Sequence, residues 1–131
     1  MRIDGENGWI ELIRREDEEA FAVQCSVGDF AGSNPRIWID AYEQRRFLEA
    51  LRALERDRQG EARVTAMSPE ELELTVRVVD SLGHVSVAGM IGRIQYFGQS
   101  YDRLVLKFSF TLDPTSLPQL VRDVVELVGA A

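Results

Sequence analysis

The chain has 131 residues, with 22 acidic against 15 basic side chains and a net charge of −7. An apolar fraction of 45% in a chain of this length supports a buried core, which excludes a disordered chain and fits one domain over residues 1–131. The negative balance disfavours nucleic acid and anionic membrane, which are held through basic side chains, and favours a basic protein partner.

The opening M-R-I-D-G-E-N-G-W lacks the apolar segment of a signal peptide. No apolar run approaches the roughly 20 residues of a membrane span, so a cytoplasmic protein is expected. Gly8 to Arg15 predicts a first strand with Ile10 and Leu12 on one face. The acidic run Glu16, Asp17, Glu18 and Glu19 then breaks it, either as a solvated hairpin tip or as a patch for a basic partner. Ala20 to Phe30 predicts a long second strand, with Phe21, Val23, Cys25 and Val27 in its apolar phase. The phase shift to Phe30 beside Gly28 predicts a β-bulge. Cys25, the single cysteine, reads as a small buried hydrophobe and can form neither an internal disulfide nor a thiolate metal site.

Gly32 to Pro35 predicts a turn, and Arg36 to Ile39 a short third strand with Trp38 opposite in phase to its neighbours. Asp40 and Glu43 have capping-box spacing before a helix over about 41–58, whose stripe is Phe47, Leu48, Leu51 and Leu54. Ala62, Val64 and Ala66 alternate on a fourth strand. Three further runs alternate with a period of two: E-L-E-L-T-V-R-V-V-D, G-H-V-S-V-A-G-M-I-G-R-I-Q and D-R-L-V-L-K-F-S-F-T-L. Leu72, Leu74, Val76 and Val78 make one apolar face, and Leu104, Leu106, Phe108, Phe110 and Leu112 another. Gly89, Gly92 and Gly98 predict bending or close packing against another surface. Thr115 and Ser116 would cap a last helix over about 116–128, with Leu117, Leu120, Val121 and Val124 buried. The expected fold is α+β: a single antiparallel, curved sheet of about seven strands with both helices on one face.

Signals for chemistry are sparse. His84 is the only histidine, and no G-x-S-x-G elbow, phosphate loop or dinucleotide fingerprint accompanies it. One histidine with one cysteine cannot supply the three or four ligands of a zinc site. No catalytic residue, metal or cofactor is expected, and the chain does not read as an enzyme. An enzyme or small-ligand protein remains the alternative, with a pocket lined by Trp38, Tyr96, Tyr101 and His84 under the helices. A third reading is a structural subunit that dimerises through an edge strand.

Several separated pieces form one pattern: D-F-A-G (29–32), W-I-D (38–40), F-L-E-A-L-R-A-L (47–54), G-E-A-R-V (60–64) and E-L-E-L-T-V (71–76). D-S-L-G-H-V-S-V-A-G (80–89) and L-K-F-S-F-T-L-D-P-T-S-L-P-Q-L (106–120) complete it. In this order the chain resembles the WapI-type immunity proteins and related small bacterial domains from about Asp29 to Leu127. Pro114 stands where that pattern has a glutamine. The resemblance implies a non-catalytic bacterial immunity protein that binds and occludes a cognate toxin domain. An acidic surface suits a basic toxin, and Glu16, Asp17, Glu18, Glu19, Glu70, Glu71 and Glu73 are its candidate contacts because they cluster in sequence.

Overall fold

A computed structural model describes residues 1–16 and 20–129. The chain is α+β, but its strands form two antiparallel sheets of four rather than one sheet of seven. β1 (Arg2–Gly5), β2 (Gly8–Arg14), β3 (Ala20–Val27) and β4 (Phe30–Trp38) make the first sheet, in that order. Helix α1 (Ala41–Asp57) follows, then β5 (Glu61–Thr65), β6 (Leu72–Val78), β7 (Val85–Phe97) and β8 (Ser100–Leu112), which make the second sheet in that order. A 3-10 turn at Pro114–Ser116 leads into α2 (Leu117–Gly129). Alternation tells which side chains share a face. It does not tell which strand edges meet, and α1 intervenes between β4 and β5, where the sheet divides.

Each sheet contributes one apolar face to a common core. Ile3, Ile10, Leu12, Val23, Cys25 and Ile37 come from the first sheet. Val64, Leu74, Val76, Val87, Phe108 and Phe110 are among those from the second. The predicted helical stripes, Phe47, Leu48, Leu51 and Leu54 on α1 and Leu117, Leu120, Val121 and Val124 on α2, are all buried in it. Leu104 is not: it lies on the half of β8 that runs beyond the body and is exposed.

Several local features differ from the sequence pattern. β1, too short and polar to show alternation, adds an edge strand through the register Ile3 with Ile10. Gly28 (φ 59°) and Asp29 form the turn of a two-residue hairpin, since Val27 pairs with Phe30. The register shift lies instead between Phe21 and Val23, and residues 32–35 run within β4 rather than in a turn. Asp40 caps α1 by accepting from the Tyr42 amide at 2.7 Å. Glu43 does not close the capping box: it accepts from the Thr65 amide at 3.2 Å and from Arg46 at 3.1 Å. Arg58, with a left-handed backbone, ends α1 in place of Gly60. Asp113 rather than Thr115 or Ser116 caps the last helical segment, accepting from the Thr115 amide at 3.0 Å.

The close packing expected of the strand glycines is present at Gly89 and Gly92 but not at Gly98, which lies in the β7–β8 turn with φ 63° and has nothing close. A Cβ at Gly89 would run into the Glu73 carbonyl oxygen, and one at Gly92 into that of Glu70. The two sheets are joined near the same place. Asn34 of β4, 6% exposed, donates through Nδ2 to the Gly92 carbonyl at 2.8 Å and accepts from the Arg36 amide at 3.1 Å. A second tie is the Glu6 amide donating to the Thr111 carbonyl at 2.9 Å.

Removing the Asn34 donor strands a buried carbonyl, which costs about 1–3 kcal/mol. Asn34→Ala is expected to lower stability by about that amount in urea denaturation. Asn34→Asp should cost at least as much, because a carboxylate would face the Gly92 carbonyl. An unchanged midpoint in both variants would remove this bond as a joint between the sheets.

Candidate partner-binding surface

Residues that flank the two acidic segments singled out by sequence meet at the end of β4. Trp38 pairs with Ala20, the residue that closes the β2–β3 connection by accepting from the Arg15 amide at 2.9 Å. The Trp38 carbonyl also accepts from the Met67 amide at 2.8 Å, and Met67 opens the turn that carries Glu70 and Glu71. The Arg15 guanidinium reaches the Pro35 carbonyl at 3.1 Å. Glu16 is exposed in the β2–β3 connection, while Asp17, Glu18 and Glu19 lie outside the described residues. At this place Trp38 is 43% exposed and Met67 67%.

The carboxylates differ in what they meet. Glu73, on β6, holds Arg63 of β5 at 2.9 Å, and Glu70 lies 3.7 Å from Arg103 of β8. Exposed pairs of this kind contribute about 0–1 kcal/mol, so a partner can replace them at little cost. The Glu71 carboxyl is pushed above its ordinary range, chiefly by removal from water; the Glu70 charge adds to this and Arg103 opposes it.

Other singled-out residues have local roles. Asp80 accepts from the Leu82 amide at 2.9 Å and lies 2.5 Å from the His84 ring through Nδ1. That histidine contact holds the Asp80 carboxyl below its ordinary range and closes the β6–β7 turn. Cys25 is buried, and burial pushes its thiol up to about 11, against a bond to the Gly32 backbone that lowers it. No group of three or more His, Cys, Asp or Glu able to hold a metal ion occurs among the described residues. No helix among them is long and apolar enough to cross a membrane.

The residues proposed to line a ligand pocket do not converge. Tyr96 and Tyr101 pair at the far end of β7 and β8, with ring centroids 6.3 Å apart. His84 precedes β7 at its other end, roughly 35–40 Å away at about 3.3 Å per strand residue. A groove of about 440 Å³ does lie between β4 and the base of the β7–β8 hairpin, lined by Phe30, Gly32, Arg93, Leu104 and Leu106 among others. Its lining is mostly apolar and brings no acid and base together.

Sequence reading missed the exposed outer half of the β7–β8 hairpin, with Ile94, Tyr96, Phe97, Tyr101, Leu104 and Val105 on the surface. Its signal was present: bulky residues at consecutive positions break the alternation of a half-buried strand.

The fold is thus α+β, with most of the acidic side chains singled out by sequence on the surface of the described residues. The chain belongs to the immunity protein WapI-like family, whose model matches residues 10–130. The match takes in β2 and β3, beyond the segments that carried the resemblance. No curated protein and no solved structure matches the chain. Immunity proteins are generally non-enzymatic and act on a protein partner, a toxin.

A carboxyl whose folded pKa is raised is ionised at a cost at neutral pH. That cost is relieved as the pH falls through the raised value toward the unfolded one of about 4.3. Glu71→Gln is therefore expected to raise the melting temperature at pH 7, and the gain should vanish near pH 3, where both proteins carry a neutral side chain. Thermal melts across this range decide it. A variant less stable at pH 7 would mean that attraction to Arg103 outweighs burial.

Proposed function

We propose that this chain is an immunity protein that binds a cognate toxin domain and covers it, without turnover. The contact surface is the acidic end of the molecule around Trp38. It comprises Glu16 on one side and Glu70, Glu71 and Glu73 on the other, and we include Asp17, Glu18 and Glu19 because they follow Glu16 in sequence. The observation that carries this is Trp38, which pairs with Ala20 at the end of the β2–β3 connection, accepts through its carbonyl from Met67 at the start of the other acidic turn, and leaves its indole half-exposed. A partly exposed tryptophan ringed by charge has the composition of an interface hot spot with a polar rim. The net charge of −7 supports a basic toxin surface as its complement, drawn in by long-range attraction. The same charge argues against nucleic acid or an anionic membrane as the direct partner. Occlusion is then steric and electrostatic. A second copy of the chain is the other protein partner that the fold can accept, at a different edge.

The neighbouring gene supplies the first test. A large secreted protein ending in a toxin domain supports the reading, and a metabolic operon counts against it. With that toxin domain in hand, Trp38→Ala is expected to weaken binding about 30-fold or more, mainly through faster dissociation, with the fold checked by circular dichroism. Glutamine at Glu16, Glu70, Glu71 and Glu73 together should slow association and flatten its dependence on salt. Binding that ignores both sets of substitutions would place the toxin on another face.

A further inference from the structure

β7 and β8 are each 13 residues long, but β6 ends its pairing at Leu72 with Ile91. Beyond that point the two strands continue as a two-stranded arm, their register unbroken to Phe97 with Ser100. An isolated two-stranded ribbon is marginally stable in water, and this one exposes large apolar side chains on both faces. Tyr96 is 72% exposed and Phe97 55%. The arm is also open along one edge. The Gly92 amide donates to the Glu71 carbonyl at 3.0 Å, so it points away from β8. By the two-residue period of a strand, the backbone groups of Ile94 and Tyr96 point to the same side. Among the described residues, neither makes a backbone hydrogen bond outside the β7–β8 ladder. Residues 93–97 hold no proline, lysine or bulge, the devices that usually blunt a free edge.

We infer that the free edge of β7 at Ile94 and Tyr96 pairs antiparallel with the same edge of a second copy, about a two-fold axis at Gln95. The sequence is self-complementary in this register. Pairing within one face of a two-fold sheet requires positions of equal parity to meet, and Gln95 then opposes itself. Ile94 meets the second copy's Tyr96 through outward backbone groups, giving four main-chain hydrogen bonds across the axis. Arg93 meets the second copy's Phe97, a cation–π pair, twice. The charge balance fits as well. In a chain of net −7, Arg93 and Arg103 on the arm are offset by Asp102 and by Glu70, which holds Arg103, so two arms meet with little net charge. The result is a continuous four-stranded ribbon, β8-β7-β7-β8, that covers the apolar arm. It does not depend on the toxin-binding reading.

The full chain is examined by light scattering and by amide hydrogen exchange from about 1 to 500 µM, a range suited to a small interface. The expected mass rises toward twice 14.8 kDa. With it, the Ile94 and Tyr96 amides become protected, while Gln95 and Phe97, bonded to β8, are protected throughout. Ile94→Pro removes only an outward donor, and Tyr96→Lys adds charge to the edge. Both should leave a folded monomer by circular dichroism. As a test of register that does not depend on those variants, Gln95→Cys should oxidise to a covalent dimer and Gln99→Cys should not. A monomer throughout the range, or a dimer unaffected by both edge variants, overturns the inference. Protection of Ile94 and Tyr96 only on adding toxin domain or nucleic acid overturns it equally, by naming another occupant.

Discussion

Neither sheet of this protein can keep water from its apolar face alone, and the fold follows from that constraint. Over much of each sheet the strands bury one side chain in two, and the buried sets of both sheets and both helices form a single core. The sheets must therefore meet closely, and the polar backbone at the meeting place needs partners. Asn34 answers this at one point by donating to the Gly92 carbonyl, and the Glu6 amide answers it at another by donating to Thr111. An unpaired carbonyl inside the seam would cost more than an ordinary surface hydrogen bond contributes. Asn34 is for this reason one of the few polar side chains the core admits.

The same seam explains why the hairpin of β7 and β8 has two characters. Its inner half packs Val87, Phe108 and Phe110 into the core. Its outer half runs past the end of β6 and has no sheet beneath it. Within a single strand the environment changes at Ile91, which is buried, and Ile94, which is not. The alternation breaks there, where bulky residues follow one another from Arg93 to Phe97, but that break does not by itself say that β6 has ended.

The elements themselves were legible because their cause is local. The stripe Phe47, Leu48, Leu51 and Leu54 marks α1, and Asp40 marks its start, since both depend on neighbours a turn apart. Alternation placed Ala62, Val64, Leu72, Leu74 and Val76 on buried faces correctly. What failed was everything that depends on distant pairing. The division into two sheets, the short β1 and the continuity of β4 through Pro35 all rest on which strand edges meet. A bulge was expected beside Gly28, where the chain in fact turns back, because a glycine with positive φ serves either purpose. At the surface, the acidic residues were chosen by nearness in sequence. The fold brings the two connections together at Trp38, through a backbone pairing and a hydrogen bond that no local pattern encodes.

Glu70 and Glu71 occupy an unusual position between the two surfaces. They belong to the acidic turn held near Trp38 through Met67, and they also touch the base of the arm. Glu70 pairs with Arg103, and the Glu71 carbonyl accepts the last outward amide of β7 before the free edge begins. In a dimer about Gln95, the second copy's hairpin turn lies beside Gly92, and so beside Glu71. A toxin domain covering these carboxylates and a second copy pairing along β7 would then claim adjoining space. Their binding would be linked: each bound partner raises the free energy of accommodating the other. The size of that linkage depends on how far the toxin contact extends from Trp38 toward the arm.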